Sequence, residues 1–195
     1  HRAQFIEFQN TLNRMAYVAK DAGIENEYLQ SFLDSLRELI GVEYAAIRFI
    51  NSDVPLSAFL YSGITKEQAD KIGKWPDGKG LFAYSHSLDE PLIIDDIASH
   101  PASTGFPAHH PKMKGLLISA LKQDSEIYGH VYLTNKMSGE SFDSDDSVLV
   151  QSFSRVVSLL IGNALEAKLS TTLQKKINVL KNFDPITGLP KKAAC

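Results

Sequence analysis

The feature that most constrains the fold is a long stretch near the end of the chain that is almost free of helix breakers. Ser144–Asn182 contains no proline, and Gly162 is its only glycine. An unbroken helix over this range is roughly 60 Å long at 1.5 Å per residue. Asp143 is the predicted N-cap, and Asp145 and Asp146 are favourably placed against the positive end of the helix dipole. The sequence therefore predicts a domain whose last element continues away from it as a rod.

The hydrophobic pattern of this helix changes along its length. Residues 148–165 are nearly all apolar or small, as expected for a helix that packs against a sheet and a partner. A narrow stripe follows among polar residues, formed by Leu169, Leu173, Ile177 and Leu180. So narrow a stripe is typical of a two-stranded coiled coil. We therefore expect a homodimer that associates through the terminal helices.

The rest of the chain shows a series of helical and strand patterns. Helices are expected over residues 2–20, 28–40, 66–72 and 81–88. Strands are expected over residues 42–50, 56–61, 91–94, 116–122 and 127–136, the last two joined by a hairpin-like connection at 123–126. Thr65 and Gln68 have the spacing of a capping box. The charges of Asp34, Arg37 and Glu38 are assigned to a solvated helix surface.

Composition excludes several classes of protein. With 195 residues, 44% hydrophobic content and 22% charged residues, the chain is not of the disordered type. A net charge of −3 offers no basic surface for nucleic acid, and no apolar run approaches the ~20 residues of a membrane span, so neither partner is expected. Cys195 is the only cysteine, which excludes internal disulfides, cysteine-rich zinc sites and a thioether-linked bilin within the domain. A reducing cytoplasm is the predicted location.

A glycine-rich loop invites comparison with a phosphate-binding motif. Residues 73–80, GKWPDGKG, nearly match G-x-x-x-x-G-K-[ST]. Gly80 stands where the motif requires the hydroxyl residue that holds magnesium, and no buried strand leads into the loop. A glycine-rich turn before a helix is the better interpretation, and a nucleoside triphosphate site is rejected.

The candidate site begins in the segment 105–113, GFPAHHPKM. Pro107 and Pro111 restrict their own φ angles and push the preceding residues, Phe106 and His110, towards extended conformations. A neutral imidazole on so stiff a segment is a good axial metal ligand. Tyr132 is the next aromatic hydroxyl on a strand pattern. We expect the imidazole and the phenol to face one buried pocket from opposite sides.

Other assignments of these residues remain open. Tyr132 is equally well explained as a core tyrosine whose hydroxyl bonds to the backbone. His109 adjoins the candidate imidazole but should point elsewhere, whereas His130 shares a strand face with Tyr132 and is a second pocket residue or a competing ligand. His86 and His100 are assigned to the surface or to loop anchoring. A zinc site is not favoured, because the chain lacks both internal cysteines and an ordered carboxylate spacing.

Two paired helices, an antiparallel-type sheet and a long exit helix together resemble a GAF domain, an α+β sensory module, over residues 26–167. Residues 95–113 (DDIASHPASTGFPAHHPKM) and 129–136 (GHVYLTNK) resemble the haem-binding GAF domain of the actinobacterial dormancy-survival sensor kinases. The resemblance implies haem b as cofactor, His110 as its proximal ligand and Tyr132 as a distal hydrogen-bond donor to bound oxygen. Lys112 stands where that family has proline, and residues 117–120 replace its Leu-Gly-Val-Pro segment, so the pocket wall differs.

A second resemblance lies in residues 184–190, DPITGLP, which are similar to the phrase that opens GGDEF diguanylate cyclase domains. The catalytic Gly-Gly-Asp/Glu-Glu-Phe sequence is absent, so we expect no cyclic di-GMP synthesis by this piece. The predicted organisation is an N-terminal dimer helix at 1–22, a GAF domain at 23–167, a coiled-coil linker at 168–183 and the start of a GGDEF domain at 184–195.

These observations favour a sensory domain that controls a cyclase by changing the packing of a helical dimer. With haem bound, the signal would be oxygen, nitric oxide, carbon monoxide or the redox state of iron. The alternatives are a haem-free pocket for a small anion, cyclic nucleotide or metabolite, and a ligand-free dimerisation module. No catalytic residue is assigned, because there is no Gly-x-Ser-x-Gly elbow and no nucleophile–base pair.

Overall fold

The computed structural model describes residues 2–22, 24–72, 80–103 and 113–182. Within these residues the helices are α1 (Arg2–Ala22), α2 (Asn26–Ile40), α3 (Lys66–Ile72), α4 (Leu81–His86) and α5 (Ser144–Asn182), with a 3₁₀ turn at Ile97–Ser99. The strands are β1 (Val42–Phe49), β2 (Phe59–Ser62), β3 (Leu92–Ile94), β4 (Leu116–Gln123) and β5 (Glu126–Lys136). The α+β class expected from the sequence is confirmed.

The five strands form one antiparallel sheet in the order β2-β1-β5-β4-β3. The β4–β5 hairpin turns through only two residues, Asp124 and Ser125, and Asp124 adopts a left-handed φ of 52°. Such a turn matches the twist of the paired strands and is shorter than the four-residue connection predicted above. Because β5 is the central strand, side chains from it reach both faces of the sheet.

One face of the sheet is covered by α1, α2 and α5, which together enclose the main core. The helices contribute apolar side chains at helical spacing: Phe8, Leu12 and Met15 from α1, Leu29, Leu33 and Leu36 from α2, and Val150, Phe153, Val157 and Ile161 from α5. From the sheet, alternate residues such as Ile47, Val131 and Leu133 complete this core. The opposite face carries a second cluster, which is described below.

The start of α5 is built as predicted, with one addition. Asp143 Oδ1 accepts hydrogen bonds from the backbone N–H groups of Asp145 (2.9 Å) and Asp146 (3.0 Å), so it is the N-cap. Asp146 also has a hydrogen-bonding role that was not predicted. Its buried carboxylate accepts hydrogen bonds from the Asp143 N–H (3.0 Å) and from Lys136 Nζ (2.8 Å). This reciprocal cap ties the helix to the end of β5.

Several details of the sequence interpretation need correction. Arg37 is not a solvated surface charge: its Nε donates to Ser62 Oγ (2.9 Å) and its Nη1 to the Val42 carbonyl (3.4 Å), so it joins α2 to two strands. The second strand begins at Phe59 rather than at 56, and α4 ends at His86 rather than at 88. The Thr65–Gln68 capping box is confirmed, with reciprocal hydrogen bonds of 2.8 and 3.2 Å.

The second half of α5 continues beyond the core. The stripe residues Leu169, Leu173, Ile177 and Leu180 are all exposed in the single chain. By length and composition α5 could also cross a membrane, but half of its most apolar 18-residue window is buried in the domain. A core helix of a soluble protein passes the same test, so this is weak evidence of a membrane span.

Candidate functional site

The face of the sheet opposite α1, α2 and α5 carries a separate buried cluster, here called the pocket face. It combines apolar side chains from the sheet, from α4 and from the 3₁₀ turn: Ala46, Leu81, Ile94, Ile97, Leu116, Ile118 and Tyr132. Alternation along β5 explains why Tyr132 points here while Val131 and Leu133 point into the main core. The other face of the sheet is already covered by helices. A ligand can therefore bind in this second hydrophobic layer, on the pocket face.

Tyr132 lies at the centre of this face and is 5% exposed. Phe82 of α4 packs edge-on against it, with ring centroids 5.2 Å apart, and makes the same kind of contact, also at 5.2 Å, with His130. Burial raises the pKa of the Tyr132 hydroxyl, opposed by the nearby charge of Arg48, so the phenol stays protonated at neutral pH. Tyr132 therefore places an O–H group among the apolar side chains of this cluster.

His130 is completely buried on the same face and meets a histidine that the sequence interpretation had assigned to the surface. His86, at the end of α4, places its Nε2 against Nε2 of His130, and the two rings stack at 11° with centroids 4.4 Å apart. His86 is thus a pocket-face residue. His100 does anchor a loop, since its Nδ1 accepts from the Ala102 N–H at 3.1 Å.

Both paired imidazoles are neutral at physiological pH. Burial lowers the pKa of His130 to about 3, helped by His86 and to a smaller extent by Arg48, and opposed by a hydrogen bond with the Phe82 backbone. Burial and the charge of Lys122 lower the pKa of His86 as well. Because each ring then carries a single proton, one Nε2 must donate to the other in this contact.

Polar atoms without partners also lie in this region of the sheet. Arg48 Nε, His130 Nδ1 and Thr134 Oγ1 are buried and make no hydrogen bond within the part of the chain that the structure describes. All three belong to the central strands β1 and β5, and Arg48 and His130 are direct cross-strand partners. Gly129, next to His130, allows the backbones of β1 and β5 to lie close together here, since a Cβ at this position would lie 2.0 Å from the Arg48 carbonyl oxygen. Unsatisfied buried groups are rare in native proteins and often mark a ligand that belongs there.

Of the predicted site residues, His130 and Tyr132 are brought together on one face. His109 and His110 lie outside the described residues, as does the glycine-rich loop at 73–79. Sequence reasoning missed His86 and Arg48. Two open grooves formed by described residues, one over α2 beside Leu60 and one beside Phe142, are not lined by Tyr132 or His130. The pocket face is the candidate ligand site because it combines an apolar cluster with buried polar atoms that lack partners among the described residues.

An antiparallel sheet with terminal helices on one face and a short helix over a mixed apolar and polar cluster on the other defines the class of this domain as α+β. The chain belongs to the GAF domain family, whose model matches residues 25–162. The family is generally sensory or regulatory.

Solved structures show the same fold at low sequence identity. The GAF domain of a phosphoenolpyruvate-protein phosphotransferase from Coxiella burnetii is 17% identical, with a TM-score of 0.62 over 86% of this chain and 98% of that one. The GAF domain/HD domain protein from Geobacter sulfurreducens is 14% identical, with a TM-score of 0.57 over 71% and 93% of the two chains. A free methionine-R-sulfoxide reductase from Neisseria meningitidis, in complex with its substrate, is 14% identical, with a TM-score of 0.56 over 82% and 91%. At these identities the likeness shows the fold alone.

Proposed function

We propose that this chain is the sensory input domain of a diguanylate cyclase, in which a ligand on the pocket face controls cyclic di-GMP synthesis through the α5 helix. The observation that carries the proposal is that the two faces of the sheet have different contacts. Its pocket face holds a buried tyrosine and polar atoms without partners among the described residues, and its other face packs against the first half of α5. A ligand that shifts the central strands therefore changes the position of α5 on the sheet.

The GGDEF-like phrase at 184–190 follows directly on α5, which supports a cyclase as the output. Ligand binding transmits a signal only if it favours one helix arrangement over another. Because GGDEF active sites are shared between two subunits, symmetric dimerisation through the exposed stripe of α5 is the natural means of control.

Haem is the ligand that we propose first. The hydrophobic cluster of the described wall fits the porphyrin in chemistry and includes the phenol of Tyr132, and the side chains of His86 and His130 lie on the same face. His110 would hold the iron, with Tyr132 as the polar group on the pocket face. When bound, haem supplies a redox-active iron with a position for a diatomic ligand. The protein contributes exclusion of water and a fixed hydrogen-bond donor.

Absorption spectroscopy tests this assignment. Protein reconstituted with haemin should show a sharp Soret band, and His110→Ala should abolish it while His109→Ala, which removes the adjacent imidazole, should retain it. Loss of the band in His109→Ala alone would transfer the ligand role to that residue. If the wild type binds no haem at all, the haem assignment is lost.

A haem-free ligand is the second candidate, and a specific observation favours it. Arg48 Nε and His130 Nδ1 are buried without hydrogen-bond partners among the described residues, which suits a small polar or anionic molecule better than an apolar one. Mass spectrometry of the small molecules that co-purify with the colourless protein separates this candidate from a ligand-free dimerisation module.

A further inference from the structure

Three nitrogen-bearing side chains of the pocket face form a cluster, here called the basic cluster: Arg48, His86 and His130. Arg48 and His130 face each other across β1 and β5, and the end of α4 brings His86 Nε2 against His130 Nε2. His130 is fully buried, whereas Arg48 and His86 are only partly buried. The cluster is thus reachable from solvent on the side of Arg48 and His86.

Some hydrogen-bond donors of the cluster have no acceptor among the described residues. A guanidinium group is always charged, and although Arg48 Nη1 donates to the Ala58 carbonyl (3.2 Å), its buried Nε–H has no acceptor within these residues. His130 Nδ1 makes no hydrogen bond of standard geometry in the same part of the chain, although the Phe82 backbone favours the protonated ring. If His86 donates to His130 in their Nε2–Nε2 contact, the single proton of neutral His130 lies on Nδ1, where it can donate to a ligand.

The permanent charges that act on the two imidazoles are positive. Within the described residues they are those of Arg48 on β1 and Lys122 on β4, with no contribution from a carboxylate. Lys122 is itself paired with Asp89 at 3.0 Å. Tyr132, on the same strand as His130, is protonated and neutral. A metal cation is disfavoured in such surroundings, whereas an anion is attracted.

We propose that the basic cluster is a binding site for an oxyanion, a carboxylate or phosphate group of a small ligand. Arg48 Nε–H and His130 Nδ1–H donate to its oxygen atoms, the latter in the tautomer in which His86 donates to His130 Nε2. The charge-assisted bond from Arg48 dominates the affinity, and the two imidazoles provide orientation. This inference rests on the proposed role of the pocket face as a ligand site and adds the chemical class that its polar end recognises.

Nuclear magnetic resonance of the full chain, labelled with ¹⁵N and free of haem, tests the site with inorganic phosphate as the probe. The Arg48 Nε–H signal and the ring nitrogens of His130 should shift along a saturable curve. Arg48→Gln should weaken phosphate binding by about tenfold, the factor expected for the loss of one charge-assisted hydrogen bond. Arg155→Gln, which removes the same charge from an exposed position of α5, should leave the affinity unchanged.

Arg48→Lys keeps the charge but removes the Nε–H, so its affinity should fall between those of the wild type and Arg48→Gln. Backbone amide spectra establish that each variant is folded. An absence of saturable shifts at Arg48 and His130 in the wild type would overturn the proposal, as would equal phosphate affinity in the wild type and Arg48→Gln.

The oxyanion has two possible sources, a free small molecule or a propionate group of haem, and a second arm distinguishes them. If propionate is the natural occupant, haemin loading should abolish the phosphate shifts, and Arg48→Gln should weaken haem retention. If a free anion is the occupant, haem-loaded protein should still bind phosphate. If the protein binds phosphate but shows no Soret band, the haem assignment is rejected and the oxyanion site is kept. If it shows a Soret band but the haem-free protein shows no phosphate shifts, the oxyanion site is rejected and the haem assignment is kept.

Discussion

At the scale of single residues, His130 shows what a buried imidazole does to the stability of this domain. Its pKa in the folded protein is about 3, chiefly because burial disfavours the charged form, against a usual value of 6.5. Between these two pH values the unfolded chain binds a proton that the folded chain does not. Stability therefore falls as the pH falls through this window, by at most about 1.4 kcal/mol per pH unit from this residue.

His130→Phe should remove this contribution. Urea unfolding measured over the upper half of the window, where most carboxylates remain ionised in both states, should give the wild type a steeper loss of stability on acidification than the variant. Parallel curves for the two proteins would mean that the imidazole is protonated in the fold and that its environment is more polar than described here.

The sequence predicted that His130 and Tyr132 share a face, because strand alternation is a local rule. It could not predict that His86 meets His130, since the two lie 44 positions apart and only the packing of α4 on the sheet brings them together. Arg48 escaped notice for the same reason: its relevance comes from register across β1 and β5, which no local pattern encodes.

At the scale of elements, α5 meets the β4–β5 hairpin at its single glycine. An added Cβ at Gly162 would lie 2.0 Å from Gln123 Oε1 and 3.2 Å from the Tyr128 hydroxyl. Gln123 Oε1 is itself buried without a hydrogen-bond partner among the described residues. The glycine thus admits a polar side chain from the hairpin to the surface of the helix, at the end of the part of α5 that packs on the sheet.

A double-mutant cycle measures this contact. Gly162→Ala raises helix propensity by about 1 kcal/mol but displaces Gln123 in the wild-type background. In a Gln123→Ala background the displacement is absent, so Gly162→Ala should be stabilising by close to that full amount. Equal effects of Gly162→Ala in both backgrounds, measured by urea unfolding, would show that the hairpin and the helix are not coupled here.

Element boundaries were predictable where chemistry marks them. The Asp143 cap and the absence of proline gave α5 its correct limits, and the Thr65–Gln68 capping box gave the start of α3. The order of strands was not predictable, because β5 pairs with β1 across the whole domain. The shift in strand register between Leu121 and Lys122, next to the hairpin turn, could not be predicted from the sequence either.

At the scale of the whole molecule, the second half of α5 exposes an apolar stripe in the single chain. Leu169, Leu173, Ile177 and Leu180 are between 43% and 60% exposed, and they recur at the spacing of a coiled-coil seam. A stripe of this kind is stable in water when a second copy covers it. The same dimer would place the two proposed cyclase domains face to face. The proposed control of cyclic di-GMP synthesis therefore requires that the chain forms a dimer.

Leu173→Asp combined with Leu180→Asp should convert the protein from a dimer into a monomer of 21.5 kDa in light scattering, because a buried seam does not accommodate two pairs of facing carboxylates. Thr171→Asp combined with Asn178→Asp adds the same charge to exposed positions off the stripe, and this control should remain dimeric. In a protein that carries the cyclase domain, the first variant should lose cyclic di-GMP synthesis and the second should keep it. If both variants retain the dimer mass, the seam lies elsewhere, and α1, whose Ile6 and Tyr17 are also exposed, becomes the surface to test.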